Sequence, residues 1–392
     1  MTTRNTTDMN VKIILALTLV HFTGDFFNSF ITPLLPVFAT KFSLSMLQIG
    51  LISGVGRFLA FIVQPTVGYM ADHYRTRFFS LGGPILAMVF VSLVGVAPSY
   101  AILLCFVALG SSGSAMFHPA VAGMVHTYAG KRLGFSLSIF NMGGTLAFGL
   151  GPLFITWFVV TYGLHMTPLT LIPGLLLMVL LFRIVPLPTG EILKNSTFIG
   201  SLKEAFGDVW KLIAIIWLIM VLRAFSAHAF RTFLPVLYAN EGFSLMSIGL
   251  LVSLFTIAGT VSGLLSGYVS YKTGYKKIFY ISHILSTPAF LILLFAPGQW
   301  VYPAIFLAGF SIMATLPLGV ALAQELAPRG RSMVSSLMMG FAFGLGGMLS
   351  PLVGGLADIF SIRSVLTVIA FVPVMTTGLI YFLPGGKVSR IS

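Results

Sequence analysis

Residues 13–38 read IILALTLVHFTGDFFNSFITPLLPVF, an apolar run interrupted by one carboxylate, Asp25, and one imidazole, His21. About 20 apolar residues cross a bilayer as a helix, so this run is long enough to span one. Asp25, His21, Pro33 and Pro36, with no clear small-x-small cleavage pattern, argue against a cleavable leader. Similar runs follow at 46–70, 79–97, 100–125, 133–160 and 168–187, then at 212–237, 246–270, 278–296, 300–326, 332–356 and 364–384. They are continuous instead of alternating, which favours helices over a membrane β-barrel. The expected fold is an all-α polytopic membrane protein with twelve transmembrane helices.

The charges agree with that reading. Lys and Arg number 22 and Asp and Glu 9 in 392 residues, or 8%, against roughly 25% in a soluble domain. Too few remain to cover a water-facing surface. The single Cys105 excludes a disulfide scaffold. The net charge of +13 reflects missing acids, so nucleic acid is not an expected partner. With both termini cytoplasmic, 17 basic residues fall in inside segments and only Lys41 and Arg363 in outside loops, a strong positive-inside bias. The bias sets the expected orientation, and the cell inner membrane is the expected location. The longest polar stretch, 188–211, reads as a central cytoplasmic loop, and 198–210 within it as a short interfacial helix.

Short matches recur between the two groups of six runs. Ile49-Gly50-Leu51 returns 199 residues later as Ile248-Gly249-Leu250, and Gly68-Tyr69 as Gly267-Tyr268 at the same offset. Ala147-Phe148-Gly149-Leu150-Gly151 recurs as Ala342-Phe343-Gly344-Leu345-Gly346. In register with the run count, they predict two duplicated halves, 1–187 and 212–392, joined by the 188–211 loop.

Between the second and third runs stands Gly68-Tyr-Met-Ala-Asp72-His73-Tyr74-Arg75-Thr76-Arg77. Gly68 permits close helix approach, and Asp72 can accept from a helix N-terminus or pair with a base. This segment resembles the loop 2–3 motif of the major facilitator superfamily, departing from it at His73 and at Arg75, where a glycine is usual. The run Gln324-Glu325-Leu326-Ala327-Pro328-Arg329-Gly330-Arg331, continuing to Phe341–Gly346, and Phe117-His118-Pro119 are similar to the fosmidomycin-resistance branch. The resemblance implies a major facilitator fold and a proton-coupled efflux carrier for fosmidomycin-like or other small amphipathic compounds. Gate roles fall to Gly68, Asp72, Arg75, Arg77, Glu325, Arg329 and Arg331. Gly143, Gly144, Gly149, Gly151 and Pro152 partly resemble an antiporter motif, and close helix packing accounts for the same residues.

Ionisable groups within spans are costly and usually line a cavity. His21, Asp25, Asn28 and Thr32 are separated by 4, 3 and 4 residues and so share a helix face. Three roles fit Asp25: coupled proton carrier with His21 and His118, static ion pair, or substrate contact. His118 precedes Pro119, where imidazole relays a proton or satisfies a carbonyl freed by the kink. Arg57, Arg223, His228 and Arg231 also lie within spans. Paired guanidinium groups suit phosphonate, phosphate or carboxylate, so these four and Asn28 are candidate substrate ligands. A structural pair of Arg57 or Arg231 with Asp25, Asp358 or Glu241 is the competing account. Phe26, Phe27, Phe30, Phe225, Phe230 and Phe233 offer an apolar wall. No Walker sequence, dinucleotide fingerprint or paired-Cys metal site appears, so no cofactor, metal or enzyme activity is expected. The expected partners are a small-molecule substrate, protons and the lipid bilayer, with the monomer as the working unit. An alternative function is a proton symporter or facilitator importing a small organic anion such as a carboxylate.

Overall fold

The computed structural model describes residues 8–73, 76–188, 207–327, 334 and 336–385. Among these residues twelve helices are long and apolar enough to cross a membrane. They are α1 (Val11–Phe42), α2 (Met46–Val67), α3 (Phe78–Val96), α4 (Tyr100–Tyr128), α5 (Gly130–Tyr162) and α6 (Leu164–Ile184), followed by α7 (Trp210–Asn240), α8 (Leu245–Thr273), α9 (Tyr275–Phe295), α10 (Gly298–Leu326), α11 (Leu337–Phe360) and α12 (Ile362–Ile380). The expected spans are all present, their ends displaced by a few residues. The protein is an all-α polytopic membrane protein. Its surface shows the inversion that lipid demands: Ile359 is 72% exposed, whereas Asp25 is 3% and Arg223 0% exposed. The expected 198–210 helix falls mostly outside the described residues.

Breaks in the long helices have a local cause. Regular helix in α1 stops at Asn28 and resumes at Ile31, just before Pro33, whose missing N–H leaves the Ser29 carbonyl without its helical donor. The freed geometry is used by Ser29, whose hydroxyl donates to the Phe26 carbonyl. The interruption in α10 between Met313 and Leu316 likewise precedes Pro317, and that in α11 at Leu349 precedes Pro351.

The helices gather into two compact units. The first holds the described residues of Met1–Leu34 and Leu59–Lys194. Here α1 lies along α5 and packs on α3, α4 and α6. Glycines permit the close crossings: a Cβ at Gly143 would come within 2.8 Å of the Thr18 carbonyl oxygen, and one at Gly151 within 2.8 Å of the Phe26 carbonyl oxygen. Phe26 and Phe30 form an aromatic cluster with Phe154 across this seam.

The second unit holds Leu35–Phe58 and the described residues of Asn195–Ser392. Its α7 packs on α11, α10 and α8, and α9 packs on α10 and α12. Ile213, Ile216, Ile219 and Met220 of α7 meet Leu318 and Leu322 of α10 in a buried apolar cluster. At Gly346 a Cβ would lie 2.7 Å from the Phe225 nitrogen. Phe225 is 199 positions after Phe26, the offset of the sequence repeat, so the α5–α1 and α11–α7 crossings use corresponding residues. The first half of α2 is drawn onto α11 by backbone-close contacts, with Gly50 at Ser350 and Gly354 at Met46.

Candidate functional site

The polar face of α1 closes on a tripod in the first unit. Asp25 Oδ2 stands 3.1 Å from His21 Nε2, one helical turn earlier, and Oδ1 stands 3.3 Å from His118 Nε2 on α4. Donor atoms of the three side chains all lie within 4.8 Å of one another. The other ring nitrogens are anchored: His21 Nδ1 donates to the Phe140 carbonyl at 2.8 Å, and His118 Nδ1 to the Ser114 carbonyl at 2.7 Å. The Ser114 carbonyl is one residue before the Ala115 carbonyl that Pro119 leaves without its helical donor, so His118 does not serve the kink, and its Nε2 faces Asp25. The rings also pack, with His21 stacked on Phe140 and His118 stacked on Phe117. His21 and Asp25 side chains are 8% and 4% exposed, while that of His118 is 31% exposed.

Gly144 on α5 makes this geometry possible. A Cβ there would sit 2.5 Å from His21 Nε2 and 2.9 Å from Asp25 Oδ2, distances at which the ring or the carboxylate must move. Gly144→Ala is therefore expected to lower transport on the order of tenfold or more, with wild-type amounts of protein in the membrane. Uptake assays on cells matched by immunoblot check this; normal transport would show that the tripod tolerates displacement.

The second unit concentrates positive charge. Arg223 on α7 is fully buried. Its Nη1 donates to Met313 Sδ at 3.4 Å, its guanidinium lies 5.1 Å from the Phe343 ring centroid, and its Nε and Nη2 make no hydrogen bond. His228, 4% exposed, meets the edge of the same Phe343 ring at 5.2 Å. Arg57, Arg231 and Arg223 all lie close enough to act on the charge of His228. The stem of Arg57 rests against Gly347 of α11, and Arg231 borders a narrow cleft whose walls are otherwise mainly apolar, including Leu234, Tyr238 and Phe255. Asn28 is half-buried on α1, beyond Asp25. Phe230 stacks on Phe290 and Phe233 is buried, so both serve packing.

The acids described in this unit are engaged elsewhere. Glu241 pairs with Arg363, and Glu325 accepts from the Tyr275 hydroxyl. Asp358 brackets the start of α2, Oδ1 accepting from the Met46 N–H at 2.7 Å and Oδ2 from the Leu47 N–H at 2.9 Å. A carboxylate at a helix N-terminus meets the positive end of the helix dipole. Asp358→Ala is expected to lower thermal stability by about 1 kcal/mol, measurable by unfolding in detergent, with Asp358→Asn retaining part of that loss.

Of the expected gate residues, Arg77 lies with its guanidinium 4.9 Å from the Phe182 ring centroid. Gly68 and Asp72 fall on the cytoplasmic extension of α2 to His73 in the expected topology; their side chains are outside the described set. Arg75, Arg329 and Arg331 also lie outside the described residues. One buried imidazole escaped the sequence reading. His283 on α9 is 0% exposed, donates from Nδ1 to the Phe279 carbonyl at 2.9 Å and leaves Nε2 without a hydrogen bond. Its presence in the 278–296 apolar run was the available signal.

The chain is similar to known transporters along nearly its whole length. It is 29% identical over 383 residues to the Fosmidomycin resistance protein of Escherichia coli (strain K12), covering 96% of this chain and 93% of that one. It is 27% identical over 386 residues to the Uncharacterized MFS-type transporter YfnC of Bacillus subtilis (strain 168), covering 95% and 92%. Among solved structures, a bacterial homolog to the human lysosomal transporter Spinster, inward-facing and occupied, superposes with a TM-score of 0.82 at 17% identity, covering 96% of each chain. The D323A mutant of the nucleoside transporter NupG superposes with a TM-score of 0.79 at 14% identity, covering 94% and 99%. These two likenesses concern the fold. The sequence profile described as Major Facilitator Superfamily matches residues 17–351, and the chain belongs to that superfamily as a secondary transporter that moves small molecules by alternating access.

Proposed function

We propose that this carrier is a proton-coupled antiporter that exports fosmidomycin-like phosphonates or other small anionic, amphipathic compounds. The observation that carries the proton reading is the buried Asp25 carboxylate held between two imidazoles. Three titratable groups in contact, one reaching a more exposed position, form a site that changes charge by single protons. The anion reading rests on Arg223, Arg231, Arg57 and His228, all in the second unit. Guanidinium groups match the oxygen pairs of phosphonate or carboxylate. Likeness to the E. coli protein supplies the probe, fosmidomycin.

In this reading the halves 1–187 and 212–392 rock about the substrate, with the 188–211 loop as tether and both termini cytoplasmic in the inner membrane. The segments around Gly68–Arg77 and Glu325–Arg331 close the cytoplasmic mouth. One chain completes the pathway. The test uses the protein in proteoliposomes with labelled fosmidomycin and an imposed pH gradient. Label is expected to move against the proton flow, and overproduction in cells is expected to lower drug accumulation. Movement with the protons, together with raised accumulation, would instead establish an importing symporter for the same anion class.

A further inference from the structure

The hydrogen bonds around the tripod restrict its protons in a way that residue types alone do not. A carbonyl oxygen only accepts, so the contacts to Phe140 and Ser114 require hydrogen on Nδ1 of both His21 and His118. A neutral imidazole has one N–H, so in each ring Nε2 is left as a lone pair. Both Nε2 atoms face Asp25, at 3.1 and 3.3 Å. With an ionised carboxylate, each contact would then set acceptor against acceptor in a buried site, where unmet polar groups are costly. Among the described residues Oδ1 has no hydrogen-bond partner.

No other described ionisable group answers this demand from the helices packed on this part of α1. None occurs on α3. On α5 and α6, Lys131, Arg132, Tyr162, His165 and Arg183 stand at helix ends. On α4, Tyr100, His126 and Tyr128 also stand at the ends, and Cys105 is exposed. The remaining group facing Asp25 from α4 is His118.

We infer that the His21–Asp25–His118 tripod is a store for two exchangeable protons, filled through His118. This rests on the proton-coupled reading and adds a number and an order to it. The first proton lies between His21 Nε2 and Asp25 Oδ2 and takes the tripod from a charge of −1 to 0. The second binds His118 Nε2, supplies the donor missing at Oδ1 and takes the charge to +1. The side chain of His118, 31% exposed, is the port, and that of His21, 8% exposed, is the inner position. In the empty tripod a proton arriving on His118 Nε2 passes to Oδ1, and rotation of the carboxyl group carries that same proton to the His21 side, taking the charge from −1 to 0. His118 is left neutral and takes the second proton, which fills the store.

Solid-state NMR on the full chain in liposomes, labelled with ¹⁵N-histidine and assigned with His21→Gln and His118→Gln, tests the tautomers without any substrate. Both rings are expected to appear at high pH as the Nδ1–H neutral form and to gain Nε2 protonation as the pH falls. An Nε2–H neutral form at either ring overturns the inference. A second measurement reads the number. With the membrane potential clamped and the same ionic form of fosmidomycin counted on both sides, one pH unit should sustain about a 100-fold substrate ratio for two protons and about tenfold for one. His118→Gln is expected to reduce the ratio from about 100-fold to about tenfold, with counterflow confirming a folded carrier. A tenfold ratio in the wild-type protein overturns the two-proton store and leaves proton coupling standing. Absence of any gradient-driven movement, with counterflow intact, overturns both.

Discussion

The Asp25→Asn carrier is expected to lose fosmidomycin flux driven by a pH gradient, by at least about tenfold, while keeping counterflow. Asparagine has nearly the volume of aspartate and enters a site already shaped for it. With His21 and His118 anchored through Nδ1, their Nε2 lone pairs face position 25, and an amide nitrogen there is a donor. It meets a neutral ring without an added proton. Asp25→Asn thus satisfies in its neutral state a contact that the native site satisfies by protonation. The carrier can still exchange substrate for substrate, and the step in which proton movement accompanies the return is missing. Gradient-driven flux that persists at the wild-type rate would remove Asp25 from coupling.

Much of the architecture is written in residue type and spacing, because lipid imposes a simple rule on each helix separately. A run such as 13–38 must be a span whatever its neighbours are. The face shared by His21 and Asp25 is equally local, a consequence of spacing by four. Joining His118 to them is a different matter. It stands 93 positions after Asp25, and only the packing of α4 on α1, where a Cβ at Gly24 would run into the Phe117 ring, sets the distance. Position 118 was legible as polar and intramembrane, but its partner was not.

The cations show the same limit from the other side. Helical geometry places Arg223 about 80° around α7 from Arg231, which directs attention to Arg57 with Arg231 as the substrate pair. Burial reverses the emphasis, since Arg223 is 0% exposed and Arg231 is not fully buried. A helix wheel gives an angle, while the depth of the groove at that angle depends on α10 and α11. His283 was missed for a similar reason, because a lone histidine in an apolar run has no spacing to single it out. Asp358 holds the α2 N-terminus and Glu241 pairs with Arg363, contacts between segments far apart in sequence.

Arg223→Met separates two roles that would otherwise look alike, because they predict opposite signs of stability. Arg223 is buried, and among the described residues its Nε and Nη2 lack hydrogen bonds and a thioether is its only acceptor. Its contact with Phe343 returns part of the desolvation cost through cation–π attraction. If the guanidinium is kept for an anion, an apolar side chain of similar length should leave the ligand-free protein unchanged or stabilise it by about 1–4 kcal/mol, as replacing buried ionic groups often does. If it is instead a structural pin, the same change should destabilise. We expect the first outcome, together with loss of fosmidomycin transport. Ligand-dependent stabilisation provides the second readout. At 100 times Kd a ligand that binds only the folded state adds about 2.7 kcal/mol, a gain the wild-type protein should show and Arg223→Met should lack. Arg223→Lys keeps the charge without the planar fork, so it should bind weakly and recover little transport. Loss of thermal stability in Arg223→Met, with fosmidomycin protection intact, would assign Arg223 to the fold and leave the anion to Arg57 and Arg231.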